Sequence, residues 1–249
     1  MARTTAATRT YTTSIAHTAE QIEAAGRLRH RVFADELGAQ LSSAEPGIDV
    51  DAFDRRCQHL LATDDTTGEV VGTYRMLPSG GGDALYSAAE FDVTELDPLR
   101  DSLMEVGRSC VDPAHRGGAV IMAMWAAVVR YALLSGHRYL AGCASVPLAD
   151  GGYAAEQTWQ HVRDRHLAPE GSRVRPYRPW PVTGMAGSGA VADRRAVPPL
   201  LRGYLRLGAW VCGPPAHDPE FGVADFFVLL PFDRFDDRYL RRFLGGEGR

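Results

Sequence analysis

The sequence predicts a mixed α/β fold in which one central, mainly antiparallel sheet is flanked by helices. Short apolar stretches bounded by turn residues predict strands, and longer stretches with apolar residues at helical spacing predict amphipathic helices. Along the chain a helix comes first, then antiparallel strands, then a β–α–β–α run. This order is typical of one sheet covered by helices.

The first half of the chain supplies a helix and a hairpin. We expect residues 1–16 to be frayed or to add a strand to the sheet. A helix is predicted from Thr18 to Gly38, because Thr18 and Gln21 have the spacing of a capping box. Strands are predicted over 57–62 and 70–77, with a turn at 64–68 between them.

The second half begins with a strand over 103–111, a glycine-rich turn and a helix over 118–134 that Gly136 ends. The remaining elements are a strand over 139–146, helices over 152–167 and 198–208, a strand over 224–230 and a helix over 233–244. We expect one domain over 1–249, with residues 168–249 packed on its core.

Composition excludes several classes of chemistry. All 27 basic residues are arginine, so lysine nucleophiles and Schiff bases are ruled out. Nine arginines against three acids between Trp159 and Cys212 suit an acidic partner or form a solvated surface. With a net charge of −4 and no basic stripe interleaved with aromatic residues, no nucleic-acid partner is expected.

The four cysteines have no CxxC pair and no histidines at ligand spacing, so no metal site is predicted. The N-terminal residues contain no apolar run of signal-peptide length, and no apolar stretch is long enough to span a bilayer. A cytoplasmic protein is therefore expected.

The most informative stretch is the turn Arg116-Gly117-Gly118-Ala119 between a strand and a helix. Backbone N–H groups at such a helix start can bind a phosphate or a pantetheine amide, although short glycine turns also simply start helices. The predicted donor-binding set is this turn with its neighbours Val111 and Val120. Glu105, on the strand that enters the turn, is a candidate base.

This arrangement resembles the acyltransferases of the GNAT superfamily, whose carrier-binding turn reads Gln/Arg-x-x-Gly-x-Gly/Ala. Arg116 fits that pattern, whereas Ala119 and Ile121 stand where small glycines are expected. The resemblance implies no bound cofactor and an acyl-phosphopantetheine co-substrate. The departure favours a pantetheine arm on acyl carrier protein over acetyl-CoA.

A closer resemblance, to ornithine acyl-carrier-protein N-acyltransferases, covers nearly the whole chain. It is carried by RHRVFADELG, DVDAFD, GTYRMLP, EVGRSCVDPAHRGGAVI, LAGCASVP and PPLLRGYLRLGAWVCG. It implies transfer of a 3-hydroxyacyl chain from acyl carrier protein to the α-amine of ornithine, giving lyso-ornithine lipid. It also makes 168–249 a family-specific part and implies peripheral contact with the inner face of the membrane.

Acyl-homoserine lactone synthases are a related, rival family. The shared residues would be Arg29, Phe33, Asp49, Asp51, Asp54, Arg75, Glu105 and Arg108. That family expects tryptophan where this chain has Ala39, and it lacks LRLGAW. CoA-dependent acetyl transfer and a non-catalytic binding module are further alternatives.

The predicted substrate-binding set contains the acidic trio Asp49, Asp51 and Asp54 with Arg75, Arg29 and Phe33. The trio could bind the cationic nitrogens of an amino acid or cap local turns. Arg75, among apolar neighbours, needs an anionic partner, and an aspartate is expected.

The predicted catalytic set is Glu105, Arg108 and Ser145. Glu105 and Arg108 share a face only if a bulge intervenes, and backbone N–H groups at that bulge could stabilise an oxyanion. A structural ion pair of Glu105 with Arg108 or Arg75 is the alternative. Ser145 could protonate the leaving thiolate, or its hydroxyl could only form a hydrogen bond within the sheet. A Cys110–His115–Asp112 triad is not favoured, because these residues lie too close together along one strand and turn.

Overall fold

Ten strands organise the parts of the chain that this computed structural model describes, residues 9–82, 84–182, 193–235 and 237–244. The strands are β1 Tyr11–Ile15, β2 Gln58–Asp64, β3 Val70–Leu77, β4 Phe91–Asp92, β5 Leu103–Val111, β6 Tyr139–Pro147, β7 Arg175–Pro176, β8 Trp210–Val211, β9 Ala216–Asp218 and β10 Val223–Pro231. The helices are α1 Ala19–His30, α2 Ala119–Leu134, α3 Tyr153–Arg163, α4 Pro199–Arg206 and α5 Asp237–Leu244.

The main sheet has the strand order β1-β2-β3-β5-β6-β10-β8, and β9 also pairs with β10. Every pairing is antiparallel except β5 with β6, which α2 connects. A parallel pair needs such a crossover, because its second strand must return to the same end of the sheet. The predicted fold class, a mixed and mainly antiparallel sheet flanked by helices, is confirmed.

The two faces of the sheet are covered differently. One face packs against α2 and the C-terminal helices around a core that includes Met104, Met124 and Phe226. The opposite face carries two smaller apolar clusters, one around Leu28 beneath α1 and one around Phe91. Polar side chains lie on this second face between its two clusters, and strand pairing places them there.

The α-helical part of the helix predicted from Thr18 to Gly38 is shorter than expected. The Thr18–Gln21 capping box is present, but α1 ends at His30 and continues as a π-helical turn over Arg31–Glu36. Within this turn the Leu37 N–H donates to the Val32 carbonyl, five residues back. The extra residue rotates the chain, and Leu37, expected on the apolar side, is 63% exposed.

The predicted bounds of the strands agree better with the structure than the predicted ends of the helices do. The predicted bounds of β3 and β5 are confirmed, and residues 11–15 of the N-terminal segment add a strand to the sheet edge. Residues 1–8 lie outside the described part. The helices predicted over 152–167 and 198–208 are shorter, and the last helix begins at Asp237 after a separate 3-10 turn.

The C-terminal part contributes to the core as well as to the sheet. Leu201 and Leu205 of α4 are buried in the main cluster, and every residue of β10 is buried. Phe243 of α5 is also buried, against Phe235. Within the described residues, no helix combines the length and the apolar character needed to cross a bilayer.

Candidate active site

An interleaved network of arginines and aspartates occupies the second face of the sheet. Arg29 of α1 is 1% exposed, and it donates from Nε to Asp49 Oδ2 at 2.8 Å and from a terminal nitrogen to Asp54 Oδ1 at 2.8 Å. His59 Nε2 donates to the Asp54 carbonyl at 3.0 Å, and burial lowers the pKa of His59. Two of the three predicted acids are therefore buried and already paired.

Arg75 of β3 joins the same network. It donates to Asp51 Oδ2 at 2.7 Å and lies 3.4 Å from Asp54 Oδ2, so the predicted pairing with an aspartate is confirmed. Burial acts to raise the pKa of Asp51, but Arg75, the Phe53 N–H and Arg108 together outweigh it and the pKa lies below its ordinary value. The Asp51 side chain is 27% exposed, against 4–5% for Asp54 and Asp49. Of the trio, Asp51 is best placed to meet an incoming cation.

A β-bulge in β5 is confirmed at Arg108. The register with β3 shifts between Thr73 and Arg75, and Arg108 has φ +50°, alone among described non-glycine residues in being positive. Such backbone strain is typical of functional sites. The bulge brings the Arg108 guanidinium over the rings of Tyr86 and Phe221 and to 3.3 Å from Asp49.

Glu105 has different partners from those considered in the sequence. Its carboxylate accepts the backbone N–H groups of Tyr86 at 2.5 Å and Ser87 at 2.9 Å, and no ion pair joins it to Arg75 or Arg108 among the described residues. Burial raises the pKa of Glu105, and the two N–H groups offset only part of that shift. The structural alternative of a Glu105–arginine pair is therefore wrong.

A fork between β5 and β6 opens directly beyond Glu105. The parallel pairing runs from Leu103 with Tyr139 to Glu105 with Ala141 and then stops, although both strands continue for six residues. At the fork Gly142 packs so closely that an added Cβ would lie 2.1 Å from the Val106 carbonyl oxygen. Ser145, further along β6, is exposed beside the fork.

The glycine-rich turn lies beyond the far end of β5. Gly118 has φ +91° and no side chain caps α2, so its first N–H groups face outward. An added Cβ at Gly117 or Gly118 would meet nothing within 4 Å. Arg116 pairs through both terminal nitrogens with Glu36 at 2.5 and 2.7 Å, and its Nε donates to the Val111 carbonyl. Arg116 thus braces the turn against the π-helical segment.

The other residues of the predicted donor set, Val111, Ala119 and Val120, would meet a donor through their main-chain groups. The Val120 side chain is fully buried, 2.8 Å from where a Gly72 Cβ would be, and Val111 pairs with Gly72 in the sheet. Ala119 begins the helix. Cys110 is buried under α1, and His115 faces Tyr11, so the triad that the sequence did not favour does not form.

Two aromatic residues near the fork, Tyr86 and Phe221, were not predicted from the sequence. Phe33, a predicted substrate residue, packs edge-on against Phe221, with 5.7 Å between the ring centroids. The Arg108 guanidinium lies over the Phe221 ring. Tyr86 lies under both Arg75 and Arg108, and burial raises its pKa to about 12. Tyr86 and Phe221 lie in loop segments that lack periodicity, so only the folded chain reveals them.

Comparisons with known proteins identify relatives of the chain. Residues 28–126 match the acetyltransferase (GNAT) domain family. The chain is 35% identical over 248 residues to the L-ornithine N(alpha)-acyltransferase of Rhodobacter capsulatus, covering 94% of this chain and 95% of that protein. It is 32% identical over 252 residues to the enzyme of the same name from Rhizobium meliloti, covering 95% and 85%.

A solved structure shares the fold at lower identity. The CoA-dependent acyl-homoserine lactone synthase BjaI, solved with MTA, superposes with a TM-score of 0.58 at 17% identity, covering 96% of this chain and 89% of that chain. At this identity the likeness concerns the fold alone.

Proposed function

The chain belongs to the L-ornithine N(alpha)-acyltransferase family, and from that membership we propose that it transfers a 3-hydroxy fatty acyl chain to the α-amine of ornithine. The acyl chain would leave a phosphopantetheine thioester, and the product would be an N-acylornithine. The observation that carries the proposal is the fork beside Glu105. It gives a thioester and an amine a common meeting point between an outward-facing helix start and an acidic face.

The donor would lie along the fork. N–H groups at the start of α2 suit the phosphate and amides of a pantetheine arm, and the parted strands leave main-chain groups of β5 free to bind it. A thioester carbonyl at the Arg108 bulge would meet N–H groups that the irregular pairing leaves available. Ser145, exposed beside the fork, is our candidate for protonating the departing thiolate.

The acceptor would approach from the network of Arg29, Arg75, Arg108 and the three aspartates. In the reaction the amine nitrogen forms a bond to the thioester carbon, the carbon–sulfur bond breaks, and the α-ammonium must first lose a proton. Glu105 is our candidate base, because a carboxyl group whose pKa is raised by burial accepts protons more readily near neutral pH. Asp51 offers the exposed negative charge that would attract the ammonium.

The donor protein is proposed to be acyl carrier protein rather than free CoA. Ala119 and Ile121, which stand where glycines are expected, favour a pantetheine arm without the CoA pyrophosphate. Arg173, Arg175 and Arg178 are exposed, and the Arg178 carbonyl accepts the N–H of His217 on β9, which pairs with the end of β10 next to β6. An acidic carrier docked there would be close to the fork.

The assay uses purified protein, ornithine and either a 3-hydroxyacyl carrier protein or the matching acyl-CoA, with products identified by mass spectrometry. We expect N-acylornithine, formed faster from the carrier protein, and a salt-sensitive rate. The triple variant R173A/R175A/R178A should raise KM for the carrier protein about tenfold without changing KM for acyl-CoA. No acylated ornithine from either donor would contradict the proposed reaction, and equal effects on both donors would contradict the docking surface.

The same assay separates the alternatives. Acyl-homoserine lactone formation from S-adenosylmethionine would favour the rival family, and acetylation from acetyl-CoA would favour a short-chain enzyme. Peripheral contact with the inner face of the membrane is proposed only because the product is a lipid.

A further inference from the structure

A pair of carboxylates lies on the second face of the sheet, apart from the arginine–aspartate network. Glu90 follows the 3-10 turn Tyr86–Ala89, and Asp225 lies on β10 directly opposite Ser145 of β6. Side-chain ligand atoms of Glu90, Asp225 and Cys143 all lie within 4.8 Å of one another. We call Glu90 and Asp225 the acid pair.

The acid pair is incompletely bonded. Asp225 is 4% exposed, yet its Oδ1 has no hydrogen-bond partner among the described residues, and the same holds for Oε2 of Glu90. A buried carboxylate oxygen without a donor costs free energy, and a bound cation is one group that would recover it. Burial, together with the charges of Asp225 and Asp218, raises the pKa of Glu90 to about 8. Burial also raises the pKa of Asp225 to about 6, although hydrogen bonds with Ser145 and Glu90 act to lower it.

The surroundings of the acid pair are acidic. Asp218 and Glu105 add negative charge, and Arg108 is the cation that acts on Asp225. Arg108, however, already lies within ion-pair distance of Asp49 and Asp51. Burial keeps the Cys143 thiol protonated by raising its pKa well above the ordinary value. The charge balance therefore favours a cationic ligand.

The strand register also relates the position of the acid pair to that of Glu105. Glu105 is opposite Ala141, and Cys143 is two residues further along β6 on the same face, an advance of roughly 7 Å. The two nitrogens of ornithine are separated by five single bonds, which span about 6 Å when extended. An acceptor with its α-amine at Glu105 can therefore place its side-chain ammonium between Glu90 and Asp225.

We infer that the acid pair, with Cys143, is a cation subsite that binds the side-chain ammonium of the acceptor and so selects basic amino acids. This inference rests on the proposed function and makes it more specific. The subsite differs from the predicted aspartates, which are engaged by arginines. It makes Glu90 and Asp225 specificity-determining residues in direct contact with the substrate.

The experiment compares ornithine with norvaline, which has the same carbon chain but no side-chain nitrogen. Protein treated with EDTA is titrated with each amino acid by calorimetry, and kcat/KM for acylation of each is measured in parallel. We expect the wild type to prefer ornithine by about 100-fold or more. E90Q and D225N should each reduce that preference at least tenfold, whereas the exposed-carboxylate controls E95Q and D97N should leave it intact.

The outcomes separate the subsite from the proposed reaction. An unchanged preference in E90Q and D225N, with acylation intact, would overturn the subsite alone. Selective ornithine binding that both variants weaken, without acylation by the wild type, would support the subsite and overturn the reaction. If EDTA abolished the preference and zinc or magnesium ions restored it, the acid pair would be a metal site and the inference would be wrong. Far-ultraviolet circular dichroism confirms that each variant is folded.

Discussion

At the scale of single residues, Arg108 connects the parts of the candidate site. Its left-handed backbone belongs to the bulge, its guanidinium rests on Tyr86 and Phe221, and its charge faces Asp49 and Asp51. A strained residue persists only where its surroundings hold it, and two rings with two carboxylates do so here. Arg29, by contrast, is fully enclosed by its aspartates, so it organises the network and is not open to a substrate.

Replacing Glu105 by glutamine tests its proposed role as the base. The amide cannot accept the α-ammonium proton, so we expect kcat with ornithine to fall at least 100-fold. In the wild type the rate should rise with pH through the Glu105 pKa, which burial places above its ordinary value, because only the ionised carboxylate accepts a proton. In E105Q that rise should disappear. Rates are measured from pH 5 to pH 9.

Stability provides the control for this variant. Glutamine must also present its amide nitrogen to one of the two N–H groups, of Tyr86 or Ser87, so a loss of about 1–3 kcal/mol in unfolding free energy is expected. E95Q, an exposed and unrelated change, should alter neither quantity. A variant that is less stable but keeps the wild-type rate and pH profile would leave Glu105 with only a structural role.

Sequence reasoning could propose candidate site residues where they lie in one short stretch. Glu105, Arg108 and the glycine turn lie within fifteen residues, and the possible bulge followed from the spacing of Glu105 and Arg108. Glu90 and Asp225 could not be paired in this way, because 135 positions separate them and a strand carboxylate alone carries no signal. The burial of Asp49 and Asp54 was equally inaccessible, since it depends on α1 supplying Arg29.

At the scale of elements, the fork depends on how β5 and β6 separate. The two strands pair through three residues only, and Gly142 is the first residue beyond that pairing. At the base of the fork, where the two strands begin to separate, the Gly142 backbone packs closely against the Val106 carbonyl. The sequence predicted both strands accurately but not their separation, because pairing is a property of two elements together.

Adding a methyl group at this contact tests the geometry. In G142A the new Cβ would lie 2.1 Å from the Val106 oxygen, so the backbones must shift, and we expect a loss of about 1–3 kcal/mol in unfolding free energy. The matched control is G107A, on the neighbouring strand, where a Cβ meets nothing within 4 Å and a change within about 0.5 kcal/mol is expected. Both values come from urea unfolding. Equal stabilities would show that the strands do not approach this closely.

The π-helical turn is an element whose length the sequence overestimated. Helical spacing of apolar residues extends from Ile22 to Leu37, and a regular helix was the simplest reading of it. In the fold the turn displaces Leu37 into solvent while Phe33 packs on Phe221 and Glu36 meets Arg116. The irregular turn therefore connects both sides of the candidate site, which a regular helix would not.

At the scale of the whole molecule, charge and fold divide the acyltransfer site in two. In the proposed reaction, the exposed start of α2 and the exposed arginines would bind a donor of negative charge, and the acidic residues on the second face of the sheet would bind a cationic acceptor. The two meet at the fork. The family and the fold class were predictable from ordered motifs, whereas this division required the sheet register.

The most direct measurement of the central claim is lipid analysis of a bacterium that makes no ornithine lipid and expresses this chain. Mass spectrometry should detect a lipid composed of ornithine with one amide-linked 3-hydroxyacyl chain in cells with the wild-type protein, and none in cells with E105Q at equal protein level. Absence of that lipid from cells with folded wild-type protein, or accumulation of an acyl-homoserine lactone instead, would contradict acyl transfer to ornithine by this chain.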